Sequence, residues 1–416
     1  GKDTLEQGSV PNSVYQNYTL QGVNWIDHEW LMDVFVYWIF NNFGYFVLNI
    51  IFVLIALAVL IILNFFLKRF FSGIKGSIFV AFLGFIGILA MAPHLGVRMQ
   101  EITLLFFLLL LMILHFFNKT KNWKILFLLP LLFWIWINLH GGFLIGFFVL
   151  FLWLLIKLIE LLSFKYKKVD FLDYKNILSF KDLFWVVIFF FLSGLITLIN
   201  PYGIKIYYFL LDYFSNTFYM SHIQEWLPQY VFPLKYLQIF YIGFSLALMI
   251  LFLTQIRSNS LIGKYKPLKI EIWPIALFIV FLILAIKSKR HFPLFFIASS
   301  VPLCVWARTL SGFFSKNLID YFKTNEIIQL VLKSSLFFLL ILILCFGFGV
   351  FYITKTHPVS KSPFNYFCDR YPRAIVNFLK NSKDYKDLKI LNDYSWGGYL
   401  IWQWPEKKLF IDGRLP

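Results

Sequence analysis

The sequence is short of charge. Asp, Glu, Lys and Arg together make up 14% of its 416 residues, where a soluble domain carries roughly 25%. So little charge excludes a chain that is water-facing over most of its surface. Cysteine is scarce too. Cys304, Cys345 and Cys368 are the only three, they lack metal-ligand spacing, and two lie in apolar blocks. A disulfide framework and a zinc site of the usual spacing are both excluded. No signal-peptide pattern is visible, and no internal repeat marks the chain as two related halves. His28-Glu29-Trp30 is no metalloprotease helix, because no second histidine follows at the required spacing.

Hydrophobic residues are plentiful, at 60%, with 21% aromatic. They gather in nearly charge-free blocks of about 17–25 residues, the length that crosses a bilayer's hydrocarbon. Such blocks must satisfy their backbone internally, as helices or as a closed barrel. Their runs are continuous rather than alternating, so helices are expected. The sequence predicts an all-α polytopic membrane protein. Ten spans are predicted, at 44–66, 77–93, 101–117, 123–138, 142–162, 183–199, 235–254, 271–287, 292–310 and 331–353. Residues 1–43 read as an outer loop with an interfacial amphipathic stretch at 31–41, residues 44–355 as the helical domain, and residues 356–416 as a small α/β tail. In the tail, 372–383 is expected to be a helix, with KILND and LFIDG as strands. The chain starts without Met and stops in mid-phrase, so we expect an internal fragment of a longer protein.

The net charge of +17 does not point to nucleic acid. The lysines and arginines sit in short loops between apolar blocks: Lys68, Arg69 and Lys75; Lys119, Lys121 and Lys124; Lys165 to Lys181; Arg257 to Lys269; Arg308 to Lys323. These loops alternate with a second set poor in both residues. The basic set is expected to be cytoplasmic. Residues 1–30, the loops near 94–100, 139–141, 200–234 and 288–291, and the tail are then outside. Phe, Ile, Lys and Asn dominate the composition, as in AT-rich bacterial genomes, so a bacterial plasma membrane is the expected location.

The chemically unusual residues gather on that outer side. They are Asp27-His28-Glu29, His94 and Arg98 with Glu101 after them, Asn138 and His140 before two glycines, and Asn200-Pro-Tyr-Gly. Glu225-Trp226 and Lys289-Arg290-His291 follow. Singly, each has a plain structural reading. His140 can end a helix, Asn200 can make a turn, and His28-Glu29 can sit at a helix N-terminus. Collectively they place ionisable groups at span ends on one face, where such groups are costly and usually functional. Lys287, Lys289 and Arg290 also break the positive-inside pattern, and a phosphate would explain them. A carboxylate base beside a cationic phosphate clamp suits a lipid-phosphate-linked substrate. Asp27, Glu29 and Glu225 could hold a divalent cation such as Mg or Mn if folding gathers them. Outer tryptophans and tyrosines could stack on sugar rings, though interface belts account for most of them.

The ordered set WIDHEWL, NLHGGF, NPYG, QEW, RHFP and NDYSWGGYLIW…FIDGR, spread over nearly the whole chain, resembles bacterial membrane proteins related to the GT-C glycosyltransferases. That superfamily includes protein O-mannosyltransferases, aminoarabinose transferases and oligosaccharyltransferases. The resemblance implies a polyprenyl-phosphate-sugar donor, inverting transfer, and an acidic catalytic residue in the first outer loop. The stretch that usually carries that acid would precede Gly1, which leaves Asp27 and Glu29, with His28, as the catalytic candidates here. The substrate-binding candidates are His94, Arg98, Asn138, His140, Asn200, Glu225, Lys289, Arg290, His291, Trp396 and Arg414. The acceptor, whether protein, lipid or glycan, is left open. A transporter or flippase of lipid-linked saccharides, or a glycan polymerase or ligase, is the alternative. Transporters place their polar residues near the midplane of repeated halves, a pattern not seen here.

Overall fold

The computed structural model describes residues 1–166, 174, 176–215, 217, 221, 223, 225–231, 237–262, 271–311, 371–382, 384–385 and 387–413. The chain divides into two compact units. One comprises Gly1–Asp27 with Leu344–Pro416, and the other His28–Ile343. This division groups the first 27 residues with the tail.

The larger unit is all-α, its described residues forming helices joined by turns and loops. Its helices are α2 (Trp30–Leu67), α3 (Gly73–Met91), α4 (Gln100–Thr120), α5 (Leu128–Leu139), α6 (Phe143–Tyr166) and α7 (Phe180–Ile196). They continue as α8 (Lys205–Ser215), α9 (Leu237–Ile262), α10 (Ile272–Lys287) and α11 (Phe292–Leu310), following α1 (Lys2–Gln7) of the other unit. Six helical stretches are long and apolar enough to cross a membrane: Trp30–Leu67, Gly73–His94, Gln100–Thr120, Phe143–Tyr166, Leu237–Thr254 and Lys289–Leu310. Two shorter apolar stretches, Trp123–Leu139 and Ile272–Lys287, accompany them. The predicted ten spans therefore reduce to six of spanning length among the described residues. The candidates at 123–138, 183–199 and 271–287 form shorter helices, and the candidate at 331–353 lies outside the described residues.

The amphipathic stretch at 31–41 is not separate from the first span. Both belong to α2, which breaks at Gly44, where φ is 78° and ψ 176°. That backbone region is open essentially to glycine alone, so the kink lies where the sequence supplies the one residue that tolerates it. Side chains of α2 such as Phe46 and Leu54 remain exposed, as a lipid-facing helix requires.

Local chemistry explains the helix ends. Ser179 and Asp182 form a reciprocal capping box at the start of α7, satisfying two otherwise orphaned N–H groups. α5 stops at His140, whose backbone is extended, and two glycines turn the chain into α6. α10 and α11 form a hairpin, with α3 and α9 against α11 and α2 against α4. At the far end of this bundle Lys75 Nζ donates to Ser311 O (2.6 Å), the residue that ends α11, and Lys121 Nζ donates to Asn176 O (2.7 Å) in the loop before α7. Cations at helix C-termini are favoured by the helix dipole.

The smaller unit holds α1, α12 (Arg373–Asn381) and α13 (Gly397–Gln403). Val376, Leu400, Trp404 and Leu409 make its core. The strands expected at KILND and LFIDG do not form. Among the described residues there is no strand, and the backbone pairs only at isolated bridges, Ser13 with Asn24 and Asn17 with Leu409. The Asn392 side chain takes the place of a ladder, accepting from Phe410 N (3.0 Å) and donating to Ile411 O (2.8 Å). The first glycine of the WGG phrase has a packing reason. A Cβ on Gly397 would lie 2.5 Å from the Asp412 Cα.

Candidate functional site

An open cavity lies in the larger unit. Its walls come from one end of the bundle: the approach to α2, the end of α3, the start of α4, the α5–α6 turn, α8, the 225–226 loop and the α10–α11 turn. Two polar groups of residues line it.

The first group is built on His140. Gly142 N–H donates to His140 Nδ1 (2.9 Å), so Nδ1 carries a lone pair and the neutral ring carries its proton on Nε2. The Thr103 hydroxyl, 2.7 Å away, then also donates to Nδ1, while its oxygen accepts from Trp136 Nε1 (3.0 Å). The protonated nitrogen, Nε2, lies 3.1 Å from Glu29 Oε1. His28 Nε2 approaches the same oxygen at 3.6 Å, and its ring reaches the cavity wall. Burial works to raise the Glu29 carboxyl. The contact with His140 and the neighbouring His28 and Arg290 outweigh it and hold the carboxyl at about 2. Burial lowers the His28 imidazole to about 4, with Glu29 opposing and His140 and Arg290 assisting. At neutral pH the Glu29 carboxylate thus stands behind a neutral His28 imidazole.

The second group is cationic. Arg98 and Arg290 both line the cavity. Glu225 lies between them, paired closely with Arg98 through Oε1 and 4.0 Å from Arg290 through Oε2. Burial pushes the Glu225 carboxyl up, but Arg98 first and then Arg290 and His94 keep it below the ordinary value. Arg290 also stacks over Trp226, 4.9 Å from the ring centre, a cation–π contact. Backbone bonds fix this edge: Arg290 N to Glu225 O (2.9 Å) and Lys289 N to Leu227 O (3.1 Å). His94 is set by Gln238, whose Nε2 donates to Ala90 O (3.0 Å) and lies 2.9 Å from His94 Nε2. That nitrogen must therefore accept, which places the His94 proton on Nδ1.

Of the residues predicted from sequence, His28, His94, Arg98, His140, Glu225, Arg290 and His291 line this one cavity, and Glu29 touches two of them. Asn138 does not line it. It accepts from Trp30 Nε1 (3.1 Å) and donates to Trp134 O, tying the start of α2 to the end of α5. Asn200 shapes a turn, accepting from Tyr202 N and donating to Thr197 O and Gly203 O. Lys289 stands beside the cavity edge through its backbone, without lining the cavity. Asp27 and Trp396 belong to the smaller unit, where Trp396 packs against the hydrophobic core. Arg414 lies outside the described residues.

Of the carboxylates expected to hold a cation, Glu29 is approached by imidazoles and Glu225 by guanidinium groups. Among the described residues no three His, Cys, Asp or Glu side chains gather as a ligand set.

The sequence reading passed over Thr103, which fixes the His140 tautomer, and it noted Glu101, whose carboxyl is almost wholly buried in the cavity wall, without assigning it a role. An acid opening an otherwise apolar span was the available signal for Glu101. No sequence signal marked Thr103. Comparison of the chain with protein-family models, with curated proteins and with solved structures finds no match.

Proposed function

We propose that this protein is a membrane glycosyltransferase that moves a sugar from a polyprenyl-phosphate-linked donor to an acceptor hydroxyl. The observation that carries the reading is the joint lining of one cavity by Arg98, Arg290 and the imidazoles backed by Glu29, at one end of helices long enough to span a bilayer. The resemblance of the outer motifs to GT-C enzymes supports the same reading. The cavity end lies opposite the basic loops, so it faces the non-cytoplasmic side, in a bacterial plasma membrane on the compositional argument.

The lipid tail stays in the bilayer, and the phosphate enters the cavity beside Arg290, whose planar fork suits phosphate oxygens. The bond between the sugar's anomeric carbon and the phosphate oxygen breaks, and its electron pair leaves with polyprenyl phosphate. The guanidinium groups stabilise the charge that develops there. The acceptor oxygen forms the new bond, and its proton passes to His28, which is neutral and can accept it. Glu29 stabilises the resulting imidazolium. An anionic donor in the cavity also raises the proton affinity of His28 once bound, which counters the effect of burial. His140, locked by Gly142 and Thr103, holds Glu29 in place.

The test is turnover in lipid nanodiscs. A panel of polyprenyl-phosphate hexoses, labelled in the sugar, is offered with acceptor-containing membrane extract, and release of polyprenyl phosphate is measured. Arg290→Ala and His28→Asn are expected to lower turnover at least 100-fold with folded protein retained. Undiminished turnover in both variants refutes the assignment. Intact donor crossing liposomes without release would show a transporter instead.

A further inference from the structure

One polar group in the cavity wall is unaccounted for by that mechanism. Glu101 opens α4 and is 1% exposed. Its Oε1 accepts from Gly96 N–H (2.7 Å). Its Oε2 is buried and has no hydrogen-bond partner among the described residues. A buried carboxyl oxygen left unmatched is costly, because no protein group replaces the water it lost. Such an atom calls for a donor from elsewhere, and Glu101 lines the same cavity as Arg98, Thr103 and His140. The neighbouring polar groups already have occupations. Arg98 holds Glu225, and Thr103 holds the His140 ring. Glu101 is thus a cavity acid with a spare acceptor, three residues along from an arginine suited to phosphate.

We propose that Glu101 is the residue that reads the donor's sugar, its Oε2 accepting a hydrogen bond from a sugar hydroxyl while the phosphate rests on the guanidinium groups. The inference rests on the glycosyltransferase reading and assigns a role that reading leaves empty. A hydroxyl meeting a buried carboxyl oxygen in a site shielded from water is a strong discriminator, because a ligand lacking that hydroxyl leaves the oxygen unmatched. Glu101 is a specificity-determining contact, distinct from the proton-transfer group.

Glu101→Gln tests this without disturbing the fold. The amide oxygen can keep the Gly96 N–H bond, and the amide nitrogen then presents donors where Oε2 presented an acceptor. The protein in nanodiscs is titrated with bare polyprenyl phosphate and with polyprenyl-phosphate glucose, mannose and galactose, and bound lipid is counted by native mass spectrometry. The unaltered protein is expected to prefer one sugar-bearing lipid over the bare one by about tenfold or more. Glu101→Gln is expected to lose that preference while binding bare polyprenyl phosphate as before. An unchanged preference overturns the inference. So does an equal loss of affinity for all four lipids, which would place Glu101 at the phosphate or in the scaffold. Equal binding of all four by the unaltered protein overturns it too but leaves the lipid-phosphate reading standing. Failure to bind any of them refutes the function itself.

Discussion

Two residues show how tightly the site is specified. Gly142 is one. A Cβ there would lie 2.3 Å from Thr103 Oγ1 and 2.8 Å from His140 Nδ1, so no other residue can bring its N–H to the imidazole. Gly142→Ala is expected to cost ~1–3 kcal/mol, as overpacking usually does, and to reduce turnover by misplacing His140. Thermal unfolding in detergent and the turnover assay check the two effects. His28 is the other. Its folded-state value of about 4 lies below its ordinary 6.5, so the unfolded chain binds the proton more readily. The stabilising contribution is therefore complete above about 6.5 and is lost as pH falls toward 4. Glu29, at about 2 against an ordinary 4.5, follows the same sign in a lower window, from 4.5 downward. The melting temperature is expected to fall between pH 6.5 and 4.5, and His28→Gln is expected to flatten that slope. An identical slope in the variant removes His28 from the account. Sequence alone made both residues conspicuous, as a histidine before two glycines and a His-Glu pair before a span. It could not show that His28 and His140, 112 positions apart, approach one carboxylate.

At the scale of elements, the site depends on where helices begin and end. The pattern of apolar blocks located most helices, because hydrocarbon length sets a coarse and repeated signal. It separated residues 31–41 from the next span where the chain runs on through a kink at Gly44. The break was legible only as a glycine, one of many. Gly44→Ala forces a side chain into backbone geometry that costs ~1–3 kcal/mol. It is expected to lower the melting temperature in detergent, or to straighten α2 and shift Trp30 away from Asn138. Tryptophan fluorescence would register that shift. The small-unit strands were misread for a related reason. KILND and LFIDG have strand-like composition, but the Asn392 side chain bonds the backbone of Phe410 and Ile411 instead. The motif NDYSWGGYLIW…FIDG is thereby explained by packing within that unit, and Trp396 by its core.

At the scale of the whole molecule, the basic loops at one end and the cavity at the other give the bundle two chemically different faces. At the plain end Lys75 caps the C-terminus of α11, whereas at the other end one carboxylate lies between two arginines. Single cysteines placed at Gly96 and at Lys124 are therefore expected to react with a membrane-impermeant maleimide from opposite sides of intact cells, with Gly96 labelled from outside. The charge bias made this two-sidedness legible from sequence. Convergence on one cavity required the fold, since its lining comes from seven separated segments. The central claim is that this cavity receives the phosphate-linked end of a lipid donor. The most direct measurement is photo-crosslinking with a polyprenyl-phosphate hexose carrying a diazirine on its first isoprene, followed by peptide mapping. The account predicts adducts at apolar lining residues such as Leu104, Leu210 and Leu294, abolished in Arg290→Ala. Adducts spread along the lipid-facing helices, unchanged in that variant, would contradict it.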